Sequence, residues 1–523
     1  MEMKMNQEKP KTTVDKILEA ILTSDAVLFS DQYGEAYIAV DGTGKLVLPI
    51  RSSTCRDWLA HFAYEHLEEK AASTSTIANV QNVLSGEALY NSKTIELNVR
   101  IARLGATIAY DLGKAMVVVG NDTWTLVDDA PIIFRRLQHQ KSQVNPIDSG
   151  DINLLRNYLN LRSEDDYVLF VAYLVTAFIP GFPHPLLILH GPQGAGKTTP
   201  LIMLKELIDP SRLQTLPPPD SPEKFTHIVT KHHLVAFDNL SNMPPWLSDA
   251  LARVCTGDGF SKRALYTDDD DKIYNFQRVV AINGIAQVVS RSDLLDRAII
   301  LNLSRIPDDS RIEFSKFWND FEHDKPIILG GIFSVLSKAF TIRATLQLGN
   351  LPRMADFYRW GCAISEAMGF TKERFIQAYR DNIATQHDEA IEASPVALRI
   401  IEMMEQNSTW EGTATELLDM LNHDLPELFN SRSAGWPKAA NSLSHSLQLL
   451  QPDLEDHDIK IEFIAKARPR KIILRKVEKT IDEIDASTQI GGVEGIFGVV
   501  EELGYADNPF DDRRSDDKKP SLF

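Results

Sequence analysis

The spacing of apolar residues changes several times along the chain, and each change marks an element. Residues 16–22 repeat at helical spacing, and residues 26–50 then alternate apolar with polar around Asp31-Gln32-Tyr33-Gly34 and Asp41-Gly42-Thr43-Gly44. Both tetrapeptides are turn signals, so this stretch reads as a β-meander. Helical spacing returns over 53–70 and 75–91, and residues 95–126 carry a second set of strands. Together these predict an α+β unit ending near Arg136. From Asp151 the pattern is helical again until Pro180-Gly181 stops it. Four short apolar runs follow, at 186–190, 234–237, 278–284 and 298–303, each short enough and apolar enough for a buried strand. Residues 309–382 are helical throughout. Last come three helical stretches, at 395–405, opening at Trp410-Glu411-Gly412-Thr413, and opening at Trp436-Pro437-Lys438, and then a two-stranded ribbon over 459–477. Helix, helix, helix, ribbon predicts a winged helix-turn-helix.

Composition narrows the class. With 523 residues and 43% hydrophobic content the chain can bury several cores. No apolar run in the sequence approaches the length that spans a bilayer, and the polar start MEMKMNQEKPKTT lacks the apolar centre of a signal peptide. Cys55, Cys255 and Cys362 are too isolated for a disulfide framework or a metal pattern, so the expected setting is the cytoplasm, without membrane contact. The net charge of −18 excludes a basic coat for nucleic acid, yet residues 478–523 hold 12 acidic and 5 basic side chains. Much of the imbalance therefore sits in a tail expected to be disordered. Asp111 and the pair Asp128-Asp129 read as strand-end and turn residues, and His61, His66 and His139 have no ligand spacing.

The candidate chemistry starts at the first buried run. Residues Gly191-Pro192-Gln193-Gly194-Ala195-Gly196-Lys197-Thr198-Thr199 fit the phosphate-loop pattern G-x-x-x-x-G-K-[ST], launched by a strand and followed by a helix over 201–207. Backbone N–H groups in such a loop face the phosphates of ATP, Lys197 adds a point charge, and the Thr198 hydroxyl is placed for Mg²⁺. Asp238, ending the second run, is the second expected Mg²⁺ ligand. Asn239 stands where many such ATPases carry a second acid, and an amide cannot accept the proton of an attacking water. Asn283 ends the third run, where a polar amide orients that water. Arg297 precedes the fourth run and is the expected arginine finger toward a neighbouring subunit, with Arg291 the other candidate.

Strand, phosphate loop and helix, then FDN, VVAING and LLDRAIIL, resemble the AAA+ core of superfamily III-type replicative helicases. They are more closely similar to the ATP-binding helicase-like proteins of plasmids, prophages and integrated elements. The likeness covers about 151–476 and implies a hexameric ring with ATP between subunits and DNA in the central channel. It also implies that residues 256–278 form a channel hairpin. Its expected tip, Asp268 to Asp271, repels phosphate, so either Lys262 and Arg263 contact DNA or the hairpin is a solvated contact between subunits. Lys438, Lys466, Arg468, Arg470, Lys471, Arg475 and Lys476 supply basic density on the winged helix, and Arg353 reads as a surface residue of the helical segment ahead of its alternative, a sensor arginine.

The sequence thus predicts a multidomain α/β protein. Its expected units are a disordered 1–13, an N-terminal α+β domain over 14–138, an AAA+ phosphate-loop core over 139–305, a helical lid over 306–390, a winged helix over 391–477 and an acidic tail over 478–523. The expected activity is that of an ATP-dependent DNA helicase or translocase replicating a mobile element, with other replication proteins as further partners. A replication initiator or loader, and a regulatory ATPase using nucleotide as an assembly switch, are the alternatives. Asn239 favours the switch, whereas the sensor and finger residues favour turnover.

Overall fold

The computed structural model describes residues 11–477 apart from 41–45, 68–69, 129–131, 242, 258–259, 264–270, 275–276, 285–291, 393, 424–435 and 465–469. The acidic tail, most of the expected disordered N-terminus, Arg291, Lys466 and Arg468 lie outside the described residues.

Thr12 opens α1 (Thr13–Leu22) with a capping box completed by Asp15. The strands β1 (Val27–Ser30), β2 (Ala36–Val40) and β3 (Leu46–Pro49) form the expected antiparallel meander. Helices α2 (Ser53–His66) and α3 (Thr74–Tyr90) cover it around Ile38, Leu59, Val80 and Leu84. A second antiparallel sheet contains β4 (Ile101–Leu104), β5 (Thr107–Asp111), β6 (Met116–Val119) and β7 (Trp124–Val127). It starts later than the expected residue 95. Arg100 takes a left-handed backbone (φ 68) that interrupts extended chain, and its side chain is buried beneath the sheet.

The centre of the molecule is a four-stranded parallel sheet. Its members are β8 (Leu186–His190), β9 (Leu234–Leu240), β12 (Val279–Gly284) and β13 (Ala298–Asn302), in the order β13-β8-β12-β9. All four are covered on both faces, which is why their sequences read as apolar runs without alternation. Along β8, Leu187 and Leu189 enter one core and Leu186 and Ile188 the other. One face carries α4 (Glu164–Thr176) and α5 (Thr198–Ile208), and the other α6 (Pro222–Val229) and α7 (Pro245–Thr256). Residues 166–176 of α4 are all buried, so that helix lacks a polar face. Between β9 and β12 the chain forms a hairpin from β10 (Phe260–Arg263) and β11 (Asp271–Tyr274), with Lys262 opposite Lys272. The short α8 (Ser292–Leu295) precedes β13.

The expected helical segment resolves into α9 (Phe314–Thr345), α10 (Ala355–Ala367) and α11 (Lys372–Glu392). Residues 147–152 lie directly on α9, because at Gly330 and Gly331 a Cβ would collide with the Ile147 carbonyl and the Ile152 backbone nitrogen. By length and composition α9 is apolar enough to cross a membrane, unlike any run foreseen from the sequence; 56% of its apolar window is buried in the protein. Strands β4 to β6, α4, α5, the parallel sheet and α9 to α11 share one hydrophobic core, so residues 101–119 pack with the central body as well as with their own sheet.

The C-terminal module has its own core around Ile400, Leu417, Leu447 and Leu474. It contains α12 (Pro395–Gln406), β14 (Thr409–Gly412), α13 (Ala414–Asn422), α14 (Ala440–Asp456), β15 (Ile459–Ile464) and β16 (Lys471–Lys476). The expectation that Trp410 to Thr413 opens a helix is corrected here. Those residues form β14, which pairs with β16 and turns the expected two-stranded ribbon into a three-stranded sheet; the helix starts only after the Thr413 cap. Cys55, Cys255 and Cys362 are all buried, and burial pushes each thiol up to about 12.

Candidate functional site

At the C-terminal end of β8 the chain turns through residues 191–197 into α5. Gly194 (φ 84) and Gly196 (φ 69) hold left-handed conformations that a side chain at these positions would strain. Pro200 is the third residue of α5, where no intrahelical donor is lost, so the helix tolerates it. The Lys197 ammonium donates to the carbonyl oxygens of Gly191 (2.7 Å) and Pro192 (3.2 Å), folding the side chain over its own loop.

Three neighbouring strands bring the partners together. The Thr198 hydroxyl donates to Asp238 Oδ1 at 3.0 Å, and Asn283 Nδ2 donates to the same oxygen at 2.6 Å. Asn283 Nδ2 also lies 3.5 Å from the Thr198 hydroxyl. Asn283 is buried on β12, the strand between β8 and β9, and so faces both the loop and Asp238. Among the described residues the hydrogen bonds of Asp238 fall on Oδ1, so Oδ2 is available to a further partner.

Asn239 has a backbone role that its sequence position did not disclose. Phe237 pairs with Ile282 and Leu240 with Gly284, so Asp238 and Asn239 together face the single residue Asn283. This is a β-bulge, and Asn239 sits in it at φ 61, a conformation asparagine tolerates better than most residues. Its backbone N–H donates to Asn283 Oδ1, which fixes the amide with Nδ2 toward Asp238. The Asn239 side chain is exposed.

Two other features escaped the sequence reading. Asn160 Nδ2 donates to the carbonyls of Ala195 (2.8 Å) and Ser304 (2.7 Å), tying the glycine-rich loop to the chain after β13. Only an isolated asparagine before a helix signalled this, and such residues usually mean a turn. The same post-β13 segment brings Ile306 against Gly196 and the Arg311 guanidinium beside Gly194. Arg311 also pairs with Asp308 at 2.7 Å.

The remaining predicted residues lie elsewhere. Arg297 is at the opposite, N-terminal edge of the sheet: its carbonyl accepts from Leu186 N, four residues and roughly 13 Å down β8 from His190. Its side chain is half-buried, with Nη1 3.5 Å from the Ala252 carbonyl. Arg297 therefore does not meet the glycine-rich loop of its own chain. Arg353 pairs with Asp296 at 3.0 Å. Lys262 and Arg263 occupy β10 of the hairpin. Lys438 is exposed just before α14 and Arg470 just before β16. Lys471 pairs with Glu411 at 2.6 Å, and Arg475 faces Glu462 at 3.8 Å, so two of the expected basic residues have carboxylate neighbours on adjacent strands.

At the other end of α5 lies a second polar cluster, sealed from solvent. Asp209 accepts from Lys205 Nζ (2.7 Å), Arg100 Nε (3.3 Å) and the backbone N–H of His233 (3.0 Å). Burial acts to raise the Asp209 carboxyl, but Lys205 and Arg100 outweigh it and hold the group well below the usual carboxylate range. Burial pushes His184 and His232 down to about 3 and His233 to about 4.

Among the described residues no group of three or more His, Cys, Asp and Glu side chains is arranged to hold a metal. Mg²⁺ bound with a nucleotide keeps several waters and needs only one or two protein groups, so a hydroxyl and a carboxylate 3.0 Å apart beside a glycine-rich loop suit it.

This is a multidomain α/β protein whose polar centre lies where a parallel sheet meets a glycine-rich loop. Residues 152–389 match the family of actinomycete integrative conjugative element replication proteins, and residues 396–488 match the C-terminal domain of the same replication proteins. Together the matches span well over half of the chain and mark it as a replication protein of a mobile element. No curated protein matches it. Among solved structures, the A form of the apo NrS-1 C-terminal region is similar over 90% of this chain and 100% of that one, at 12% identity and a TM-score of 0.42. A JCV helicase bound to a substituted acetamide is similar over 40% of this chain and 67% of that one, at 13% identity and a TM-score of 0.22.

Proposed function

We propose that this replication protein is an ATP-dependent DNA helicase or translocase, built on an AAA+ core and working as a ring in the cytoplasm. One observation carries the reading: Thr198, Asp238 and Asn283, from three adjacent parallel strands or the helix after them, converge within hydrogen-bond distance beside the Gly191 to Lys197 loop. Loop N–H groups and Lys197 would hold the phosphates, with Gln193, Ala195 and Thr199 completing the cradle. Thr198 and Asp238 would hold Mg²⁺, which when bound neutralises charge on the β- and γ-phosphates. Asn283, its amide fixed by Asn239 N–H, would orient the attacking water. Asp238 Oδ2, or an acid from a neighbouring subunit, would accept the proton, since the Asn239 amide cannot.

The placement of Arg297 favours a ring, because an arginine at the far edge of the sheet serves a phosphate only in the adjacent subunit. In this reading 306–390 is the lid, 14–138 an accessory domain and 391–477 a winged helix that holds duplex DNA through Lys438, Arg468, Arg470 and Lys471. Lys262 and Arg263 would follow the strand in a hexamer's channel. A strand-displacement assay with forked DNA tests the reading: ATP-dependent displacement is expected. ATP-gated, origin-specific DNA binding without displacement would instead favour the initiator reading, and ATP binding with negligible turnover the nucleotide-switch reading, for which the missing second acid at Asn239 is the observation.

A further inference from the structure

A cavity of about 790 Å³ lies between the two N-terminal sheets and the N-terminal edge of the parallel sheet. It is far from the glycine-rich loop: Val279 and His233, at the starts of β12 and β9, form its floor, while the loop lies at the other end of those strands. Its volume is in the range that encloses a small ligand. Three arginines from different elements line it: Arg103 from β4, Arg135 from the segment after β7, and Arg278 immediately before β12.

Backbone carbonyls hold two of the arginines in place. Arg278 donates through Nε to the Val229 carbonyl (2.8 Å) and through Nη1 to the Gln277 carbonyl (2.9 Å), and Arg103 Nη2 donates to Pro180 O at 3.0 Å. Burial pulls the Arg278 guanidinium down to about 10, against Tyr33 and Asp209, which act to raise it; the nearby charge of Arg135 adds to the lowering, so a second cation lies close to Arg278. Asp31 and Glu96 also line the cavity. Asp31 Oδ1, however, already accepts from the backbone N–H groups of Tyr33 (3.0 Å) and Glu35 (2.8 Å), and Glu96 is exposed at the rim. In the wall, His184 is 3% exposed, and its Nδ1 is buried without a hydrogen-bond partner.

Two further observations select the anion. Tyr33 lines the cavity with a half-buried ring, a surface on which a base can stack. Gly257 and Gln277, at the root of the β10–β11 hairpin, line it as well, so the cavity opens beside the element expected to follow DNA. Guanidinium groups present paired donors that match the oxygens of a phosphate.

We propose that this cavity is a second phosphate-binding site, which takes a nucleoside phosphate either free or as one unit of a single DNA strand. It gives the N-terminal sheets a role in ligand binding. The proposal deepens the DNA-acting reading and rests on it only for the source of the phosphate.

The test uses the full chain carrying Lys197→Ala, so that the glycine-rich loop does not contribute. Fluorescence anisotropy follows a labelled oligothymidylate, and equilibrium dialysis follows thymidine monophosphate. The cavity-intact chain is expected to bind at least one probe, and the double variant Arg103→Ser, Arg135→Ser to bind it about 10-fold or more weakly. Arg135→Lys keeps the charge and is expected to retain most of the affinity, which separates loss of the site from misfolding. Loss for the oligomer alone identifies a DNA strand as the source, and loss for the monophosphate alone identifies a free nucleotide. Equal binding by the double variant, or no binding of either probe by the cavity-intact chain, overturns the proposal. Failure of the helicase reading shows separately, as ATP turnover indifferent to DNA in the chain with Lys197 in place.

Discussion

Helix α5 carries a carboxylate-centred cluster at each end, and the two differ in what they leave open. At its C-terminal end Asp209 is fully buried and both its oxygens are engaged by Lys205, Arg100 and backbone N–H groups. At its N-terminal end Asp238 is half-buried, and its described hydrogen bonds converge on one oxygen. A saturated, buried cluster holds elements together; a cluster with a free oxygen at the end of a sheet is built to receive something. Asp209 joins the N-terminal sheet through Arg100 to the start of β9, while Asp238 is the carboxylate of the proposed ATP site.

Neutralising each carboxylate in turn separates the two clusters. Asp238→Asn is expected to cut ATP turnover by about 10²–10³-fold, the cost of removing one preorganised charge, with little change in the urea midpoint. Asp209→Asn should behave in the opposite sense, losing about 3–5 kcal/mol of stability because Lys205 and Arg100 stay buried without a counter-charge. Turnover per folded molecule should survive. Equal effects of the two substitutions on stability would erase the distinction.

The histidines near the lower cluster make its stability depend on pH. His184, His232 and His233 titrate at about 3, about 3 and about 4 in the folded chain, below their unfolded value, so they stay neutral in the fold. As pH falls below about 6.5 the unfolded chain takes up protons that the folded chain refuses, and stability falls by about 1.4 kcal/mol per pH unit for each histidine. The contribution of Asp209, whose pKa is depressed, is lost only at lower pH, below about 4. Urea midpoints at pH 7 and pH 5 measure this, and a flat profile between them would contradict it.

The smallest effect concerns the bulge. Asn239→Gly keeps a left-handed residue there and should alter stability little, whereas Asn239→Val should cost about 1–3 kcal/mol through backbone strain. Matched unfolding curves for the two variants would show that the bulge does not depend on residue 239.

The legible parts of this molecule were those written in local sequence. The β-meander followed from its turns, the buried strands from their apolar runs, and the glycine-rich loop from its residue types. What stayed hidden depends on contacts between distant segments. Nothing near Asn160 announces that it ties Ala195 to Ser304, and the conformation of Asn239 follows from a bulge that only pairing with β12 reveals. Nothing in the local sequence marks Arg100 and Lys205 as the buried partners of Asp209. The strand at Trp410 was hidden because its partner, β16, lies some sixty residues later.

In the proposed function the cluster around Lys197 and Asp238 couples ATP hydrolysis to DNA. The most direct measurement is steady-state phosphate release with and without single-stranded and forked DNA, with Lys197→Ala alongside. Turnover that rises with DNA and falls by about 10²-fold or more in the variant is the predicted result. ATP binding with negligible turnover, unaffected by DNA, would contradict the account.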